Sequence, residues 1–246
     1  MAPEGRPLDR AADPELLPAA PDGNRHGRRS PLRSRGLSAV PVDTPLYPTG
    51  LILAGRACLV VGGGDVAAGK VDGLRACGAK VHVVATRVGE SVRARDDVTW
   101  EERPYRRGEV AGYRLVVAAT GSPDVNRAVY EDGEAHGVWV NSADDPANCS
   151  FVLPAVLRRG DLTVAVSTAG RSPAVASWLR RRLEVEIGPE YAALLDLVAE
   201  AREAVRTAGR SGESVDWQAV LDSDILGLIR AGELDRARER LQSCSS

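Results

Sequence analysis

The sequence predicts an α/β fold, in which a doubly wound parallel sheet is followed by a pair of strands and several helices. Between residues 47 and 145, short apolar runs alternate with stretches of helical length, as in repeated βαβ units. The run at 115–119 is apolar at every position, as expected for a strand covered on both faces. After residue 145 this alternation stops, and two apolar runs joined by a short turn indicate a hairpin.

The predicted elements follow in order along the chain. In the first part, strands are expected at 57–61, 80–85, 98–101, 115–119 and 138–141, with helices over 66–76 and 123–136. Gly78 closes the first helix and Pro123 starts the second, in keeping with the usual places of these residues. In the second part, the apolar runs at 151–157 and 162–167 form the hairpin, and helices are expected over 172–187, 190–207 and, after a loop at 211–214, over 215–241 with a break near Gly232.

Composition divides the 246 residues into four regions. Residues 1–44 hold seven prolines and several arginines with little apolar periodicity, so a disordered extension is expected there. Such a tail can touch nucleic acid or a partner, but an inert, solvated tail is the simpler interpretation. A parallel-sheet domain is expected over 45–148, a strand-pair and helix region over 149–188, and a C-terminal helical region over 189–246.

The composition also excludes several functional classes. Lys and Arg total 32 against 34 Asp and Glu, so there is no overall basic field to attract nucleic acid, and only 4% of the residues are aromatic. No apolar run approaches the ~20 residues that span a bilayer. The four cysteines form no C-x-x-C pair, the histidines are scattered, and the N-terminus lacks an apolar signal region. We therefore expect a cytoplasmic protein with reduced thiols, no metal site, and neither nucleic acid nor membrane as partner.

A glycine-rich turn joins the first strand to the first helix. Gly62, Gly64 and Ala67 form the pattern G-x-G-x-x-A. The first position tolerates an unusual φ, the second lets the backbone approach a pyrophosphate, and the small third residue lets the helix pack closely on the strand. The helix N-terminus supplies amide donors for the phosphates. The motif predicts a Rossmann-like, NAD-binding domain over 45–148, with a purely structural glycine turn as the alternative.

Two other nucleotide-binding classes fit the sequence poorly. The segment from Gly64 to Lys70 nearly matches a P-loop, but Val71 replaces the hydroxyl residue that binds Mg²⁺. Short-chain reductases use a Tyr-x-x-x-Lys pair, and the residues at the tyrosine position before the only lysines, Lys70 and Lys80, are Val66 and Ala76.

The choice between NAD and NADP stays open at this point. An acidic residue that binds the ribose 2′-hydroxyl is usual about 20 residues after the glycine turn, at the end of the second strand. Here that place holds Thr86, which can bond a ribose hydroxyl, and Arg87, which can accommodate the 2′-phosphate of NADP. The missing acid also counts against a methyltransferase. Thr120, directly after the strand at 115–119, is assigned to the cofactor as well.

Two further segments carry candidate chemistry. Asp144 and Asp145 follow the fifth strand, at the sheet edge where doubly wound folds bind ligands, so one of them can act as a general base; an Asx turn before Pro146 is the alternative. The second segment, 167–173, ends an apolar strand and starts a helix, as in anion-binding helix N-termini. A simple N-cap at Ser172 explains that residue but not the small residues before it.

Five motifs together resemble precorrin-2 dehydrogenase, the dehydrogenase and ferrochelatase module at the N-terminus of sirohaem synthases. They are Tyr47-Pro48, the glycine segment 60–67, Asn141-x-x-Asp144, Ser150-Phe151-x-x-Pro154, and Val166-Ser167-Thr168-x-Gly170-x-Ser172-Pro173. The resemblance covers residues 45–210. It implies NAD-dependent oxidation of precorrin-2 to sirohydrochlorin and, in some members, insertion of Fe²⁺ as a substrate to give sirohaem.

The resemblance also implies an assembly and a substrate supply. It describes a homodimer whose interface and active-site cover are built by the strand pair and helix, here 149–188, which makes this a dimerisation region. The 202 residues after the tail leave no room for the methyltransferase domain of multifunctional sirohaem synthases. A separate uroporphyrinogen methyltransferase is therefore expected to supply precorrin-2.

Residue roles carry over from the matching motifs. Asp144 matches the family's catalytic Asp, proposed as general base and in metal insertion. Thr168 falls where some members carry a serine that can be phosphorylated, which leaves phosphorylation of Thr168 or Ser167 open. We propose Arg171, beside this turn, as a contact for a substrate carboxylate, with a solvated charge as the alternative. The assigned cofactor residues are Gly62, Gly63, Gly64, Asp65, Val66, Thr86, Arg87 and Thr120, and the assigned substrate residues are Ser167, Thr168, Gly170 and Arg171.

A non-catalytic dinucleotide-sensing module is the competing hypothesis. Such a sensor needs the glycine turn but neither Asp144 nor the Ser-Thr turn. Turnover of precorrin-2, as opposed to NAD binding alone, distinguishes the two functions.

Overall fold

A five-stranded parallel sheet forms the first half of the computed structural model, which describes residues 45–211 and 215–245. The expected extension over 1–44 and most of the expected loop at 211–214 lie outside the described residues. The strand order is β3-β2-β1-β4-β5, so the order in which strands are added reverses at the β1–β4 pair, which marks a doubly wound sheet. The strands are β1 (Ala57–Val61), β2 (Lys80–Ala85), β3 (Thr99–Glu102), β4 (Leu115–Ala118) and β5 (Trp139–Ser142).

The parallel register aligns the carboxyl ends of the central strands. Val61 of β1 lies opposite Val84 of β2 and Ala118 of β4. Alternate side chains of β1, β2 and β4 enter separate cores on the two faces of the sheet. The sheet is therefore covered on both sides, which confirms the expectation from the continuous apolar run at 115–119.

Helices cover the two faces. The helix α1 (Asp65–Arg75) packs on one face and α3 (Pro123–His136) on the other. The Ser122 side chain accepts a hydrogen bond from Val125 N at the start of α3, and Gly137 ends it with a φ of 65°. A short helix, α2 (Glu90–Arg93), was not predicted, because a single turn of four residues is too short for a helical period to show.

The expected hairpin is confirmed. Strands β6 (Ala155–Arg159) and β7 (Leu162–Val166) pair antiparallel, and Gly160 takes a φ of 55° in the turn. The first strand starts later than the apolar run, which begins at residue 151. Pro154 cannot donate to a strand ladder, and Phe151 packs instead against the core of the parallel sheet.

Helices complete the chain. They are α4 (Pro173–Glu186), α5 (Glu190–Thr207), α6 (Trp217–Leu221), α7 (Ile225–Arg230) and α8 (Leu234–Ser245). A third core lies between α5 and the last three helices, centred on Ile225 and Leu241. The expected break near Gly232 is present, with a φ of 76°. A second break was missed: Ser223 Oγ donates to Val220 O at 2.6 Å, a local bond that competes with helix continuation.

No helix in the described part of the chain is both long enough and apolar enough to cross a bilayer.

Candidate functional site

A cavity of about 660 Å³ opens at the carboxyl ends of β1, β2 and β4. This is the edge at which doubly wound sheets bind their ligands. Six of the eight residues assigned to the cofactor line it, namely Gly62, Gly63, Gly64, Thr86, Arg87 and Thr120. The other two, Asp65 and Val66, lie in the exposed first turn of α1, outside the cavity wall.

Close packing fixes the first two glycines of the turn. Gly62 has a φ of 128°, and a Cβ at this position would lie 2.2 Å from the carbonyl oxygen of Ala119. A Cβ on Gly63 would lie 2.2 Å from the carbonyl oxygen of Arg87. Both positions therefore require glycine, because a side chain would collide with the neighbouring loop. The G-x-G-x-x-A motif gave a reason for glycine at Gly62, its unusual φ, but none for Gly63.

The third glycine faces open space. In the described part of the chain, no neighbouring atom lies within 4 Å of a Cβ built on Gly64, and no side chain caps the N-terminus of α1, which follows Gly64. Ala67 is fully buried against the sheet. The first-turn amides of α1 thus lie at a surface that no side chain covers. Such a surface suits the pyrophosphate of a dinucleotide.

A buried carboxylate organises the wall on the α3 side of the cavity. Asp132 is only 6% exposed, and its Oδ2 accepts hydrogen bonds from Tyr105 OH at 2.6 Å and Gly108 N at 2.7 Å. Its Oδ1 lies 3.0 Å from Arg107 Nε. Burial, and then the bond to Asp132, raise the pKa of Tyr105, so the phenol stays protonated. Asp132 therefore fixes Tyr105 and Arg107, both of which line the cavity.

Sequence reasoning missed this group, although one signal was present. Val125, Val129 and Asp132 lie on one stripe of α3 at helical spacing, and both Val129 and Asp132 are buried. An acid on the apolar stripe of an amphipathic helix needs a buried partner, so it marks a structured polar site.

The loop between β4 and α3 is held by Thr120. Its Oγ1 donates to Asn126 Oδ1 at 2.7 Å and accepts from Ser122 N at 3.2 Å. Asn126 is buried, which anchors the loop to α3. Because these bonds engage the hydroxyl group, Thr120 contributes mainly to the shape of the cavity wall.

Asp144 stands in a strained turn after β5. Its φ is 58°, in the left-handed region that side chains rarely adopt, and its side chain is exposed. No bond or ion pair of its carboxylate occurs within the described residues. The neighbouring Asp145 differs, because its Oδ2 accepts a hydrogen bond from Asn148 Nδ2 at 2.7 Å. Of these two acids, Asp144 is therefore the one whose carboxylate makes no bond within the described residues, and its catalytic role stays a prediction.

The base of this turn is buried and polar. Ser142 N donates to Cys149 Sγ at 3.2 Å, and Asn141 Nδ2 donates to Phe151 O at 3.0 Å. Burial raises the pKa of the Cys149 thiol, which keeps it protonated. The Ser142 hydroxyl is buried without a hydrogen-bond partner among the described residues, a feature that the sequence did not reveal.

The Ser-Thr turn before α4 is the second strained segment. Ala169 has a φ of 51°. Within the described ranges 45–211 and 215–245, Ala169 and Asp144 are the two residues other than glycine that have a positive φ. Ser167 Oγ accepts from Ala169 N at 3.2 Å, and Thr168 Oγ1 accepts from Ser172 N at 3.1 Å. Backbone strain of this kind concentrates at functional sites, and here it falls on both segments that the sequence singled out.

The structure does not join these two segments by a hydrogen bond or ion pair within the described residues. Gly170 and Arg171 are exposed beside the turn, and the side chain of Arg171 is free in the same sense. The same part of the chain also contains no cluster of three or more His, Cys, Asp or Glu side chains that could hold a metal ion. The expected absence of a metal site stays a prediction.

Two family models match the chain. Residues 50–155 match a putative NAD(P)-binding domain, and residues 159–186 match the central domain of sirohaem biosynthesis proteins. The siroheme synthase of Nitrosococcus oceani is 37% identical over 201 residues, which are 80% of this chain and 43% of that protein. That of Methylobacillus flagellatus is 34% identical over 204 residues, or 81% and 44% of the two chains. The chain thus spans less than half the length of these relatives.

A solved structure matches over a larger share of its own length. The structure of SirC, a precorrin-2 dehydrogenase, aligns with a TM-score of 0.66 and 26% identity, over 81% of this chain and 98% of that one. The shared architecture is the parallel sheet, the antiparallel strand pair and the C-terminal helices.

Proposed function

Because the chain belongs to the family of the sirohaem synthase dehydrogenase module and precorrin-2 dehydrogenase, we propose that it oxidises precorrin-2 to sirohydrochlorin with NAD. One observation carries the proposal. The cavity lined by the glycine turn, and the strained turn with a carboxylate that makes no bond within the described residues, lie at the ends of neighbouring strands at the same edge of one sheet.

The chain's residues fit the cofactor. The turn Gly62–Gly64 and the N-terminus of α1 bind the pyrophosphate, while Thr86 and Arg87 lie toward the adenosine end. Tyr105, fixed by Asp132, forms part of the cavity wall. When bound, the oxidised nicotinamide supplies the acceptor for the hydride that leaves the tetrapyrrole.

Asp144 takes the proton that accompanies this oxidation. Dehydrogenation removes a hydride and a proton from the substrate, so the reaction needs a base beside the hydride acceptor. The carboxylate of Asp144 is exposed and has no bond or ion pair in the described part of the chain, which leaves it available to a substrate. Asp145 is engaged with Asn148 and serves to form the turn.

The substrate's acidic side chains need cationic partners. We assign this contact to Arg171 and the turn formed by Ser167, Thr168 and Gly170. Two other arginines nearby are engaged: Arg159 Nε donates to Ile187 O at 2.9 Å, and Arg180 pairs with Glu184. A uroporphyrinogen methyltransferase is the expected source of the substrate.

A second copy of the chain completes the site in this proposal. The helix α4 exposes four apolar side chains along one face, and Val185 among them is 83% exposed. A stripe of this kind is stabilised by burial against a partner. Since α4 follows the Ser-Thr turn, a dimer contact through this stripe holds that turn in place. The stripe consists of Val175, Trp178, Leu179 and Val185.

An anaerobic assay of the purified protein tests the function. Precorrin-2 is incubated with NAD or NADP, with and without Fe²⁺, and the absorbance spectra of the tetrapyrrole and the reduced cofactor are followed. Formation of sirohydrochlorin with stoichiometric cofactor reduction supports the dehydrogenase, and a further Fe²⁺-dependent change to sirohaem adds the chelatase. If the dinucleotide binds but precorrin-2 is not oxidised, the sensing module replaces the enzyme.

A further inference from the structure

The end of β2 carries a charge opposite to the one that dinucleotide-binding domains normally place there. An acid at this point hydrogen-bonds the ribose 2′-hydroxyl of NAD and repels a 2′-phosphate. In this chain the position holds Thr86 and Arg87, and both residues line the cavity. An arginine offers a planar set of donors that matches phosphate geometry.

The side chain of Arg87 is available to a ligand. It is exposed, and no hydrogen bond or ion pair engages it within residues 45–211 and 215–245. The nearby carboxylate of Glu102 is already engaged: its Oε2 accepts from Val88 N at 3.0 Å and pairs with Arg93. The hydrogen bond from Val88 N is the main cause of the low pKa of Glu102.

The other arginine of the cavity wall is engaged as well. Arg107 lies 3.0 Å from Asp132 and 3.1 Å from Glu131, so its charge is neutralised by two carboxylates. Among the described residues that line this cavity, Arg87 is therefore the arginine without a hydrogen bond or an ion pair.

The backbone of Arg87 is fixed relative to the glycine turn. Gly89 N donates to Gly63 O at 2.9 Å, and the carbonyl of Arg87 packs against the Cα of Gly63, where a Cβ would lie at 2.2 Å. The backbone from which the Arg87 side chain extends is thus held beside the turn that binds the pyrophosphate. Because the two backbone segments are held together, a side chain at position 87 can distinguish a hydroxyl from a phosphate on the adenosine ribose.

We propose that Arg87 binds the 2′-phosphate of NADP, so that this site accepts NADP as well as NAD. The inference rests on the proposed function only in assigning the cavity to a nicotinamide dinucleotide. It does not depend on Asp144 or on the tetrapyrrole.

Isothermal titration calorimetry with NAD and with NADP tests the proposal on the purified full chain without substrate. We expect NADP to bind at least as tightly as NAD. Arg87→Ala should weaken NADP binding about tenfold to hundredfold, the range of a lost hydrogen-bonded charge contact, and change NAD binding less than about threefold. Arg87→Lys should retain part of the affinity for NADP, and added salt should weaken NADP binding more than NAD binding.

Arg56→Ala is the matched control, because Arg56 is an exposed arginine just before β1, at the opposite edge of the sheet. It should leave both affinities unchanged. The role of Arg87 is overturned if Arg87→Ala weakens the binding of NAD and of NADP equally. It is also overturned if the wild-type protein binds NAD but not NADP. Both outcomes leave the dehydrogenase proposal intact. Failure of both dinucleotides to bind overturns the two proposals together.

Discussion

The backbone amide of Ala143 donates a hydrogen bond of 2.7 Å to the carbonyl oxygen of Ala118, the last residue of β4. This bond connects the start of the turn that carries Asp144 to the end of β4. The two residues that follow β4, Ala119 and Thr120, line the dinucleotide cavity. The carboxylate and the cavity wall are therefore held by one backbone connection, independent of side-chain contacts.

Replacing Asp144 by Asn should abolish dehydrogenation and leave dinucleotide binding intact. The amide preserves the size and the turn preference of the side chain but cannot accept a proton. Loss of a general base lowers kcat by about 10²–10⁴-fold. Anaerobic turnover of precorrin-2 and calorimetric titration of the dinucleotide, on the same preparation, measure the two properties.

Asp145→Asn is the control for this change. Its amide oxygen can still accept the hydrogen bond from Asn148, so the turn should persist and activity should stay within a few-fold of wild type. If Asp144→Asn retains full activity, the assignment of the base is wrong.

The strain at Ala169 predicts a gain in stability from glycine. A left-handed conformation costs an L-residue about 1–2 kcal/mol, while the added freedom of glycine in the unfolded chain takes back about 0.4–1 kcal/mol. Ala169→Gly should therefore raise the free energy of unfolding by roughly 0.5 kcal/mol, measured by urea denaturation. Ala199→Gly, at an exposed site within α5, should lower it instead, by about 0.5–1 kcal/mol. A loss of stability in Ala169→Gly would show that the turn is not strained.

Adjacent glycines of the nucleotide turn should respond to alanine in opposite ways. In Gly63→Ala the new methyl group meets the carbonyl of Arg87, so the fold should lose about 1–3 kcal/mol. In Gly64→Ala the methyl group enters open space at a φ of −87°, so the fold should keep its stability. The same methyl group occupies the place of the pyrophosphate and should weaken dinucleotide binding at least about tenfold. Thermal unfolding measures the effect on stability, and calorimetry measures the effect on dinucleotide binding. A Gly64→Ala variant that is stable and binds the dinucleotide as tightly as wild type would contradict a pyrophosphate site at this turn.

Asp132→Ala should damage both stability and cofactor binding. The change leaves Tyr105 OH and Gly108 N without their acceptor and deprives Arg107 of an ion-pair partner. Breaking a buried polar group of this kind costs about 3–5 kcal/mol. Tyr105→Phe removes one hydrogen bond alone and should cost only about 1 kcal/mol. If the two variants unfold at the same urea concentration, Asp132 does not organise the wall.

The glycine turn and the strand order were predictable because both follow from local chemistry. Gly62 needs a positive φ, and continuous apolar runs such as 115–119 predict buried parallel strands. The part of the wall built by Asp132 was not predicted, because its three partners come from a loop separated from it by a strand. The free state of Arg87 likewise depends on Glu102 pairing elsewhere, which no sequence spacing reveals.

The second half of the chain shows the same limit. The turn at Ser167 and Thr168 and the N-cap at Ser172 were predicted from residue type alone, and Ser172 Oγ accepts from Val175 N as expected. Whether that turn meets Asp144 is a question of tertiary or quaternary contact. Within the described residues, no hydrogen bond or ion pair of one chain joins them.

A charge placed on the apolar stripe of α4 should disrupt the proposed homodimer. Trp178 and Leu179 are 51% and 38% exposed, a costly arrangement for large apolar side chains unless a partner covers them. Leu179→Glu should shift the mass measured by sedimentation velocity from dimer to monomer and reduce turnover, while leaving dinucleotide binding near wild type. Ala135→Glu, on an exposed position of α3, adds the same single negative charge and should leave the dimer intact. A wild-type protein that sediments as a monomer at micromolar concentration and still oxidises precorrin-2 would show that one chain forms the complete site.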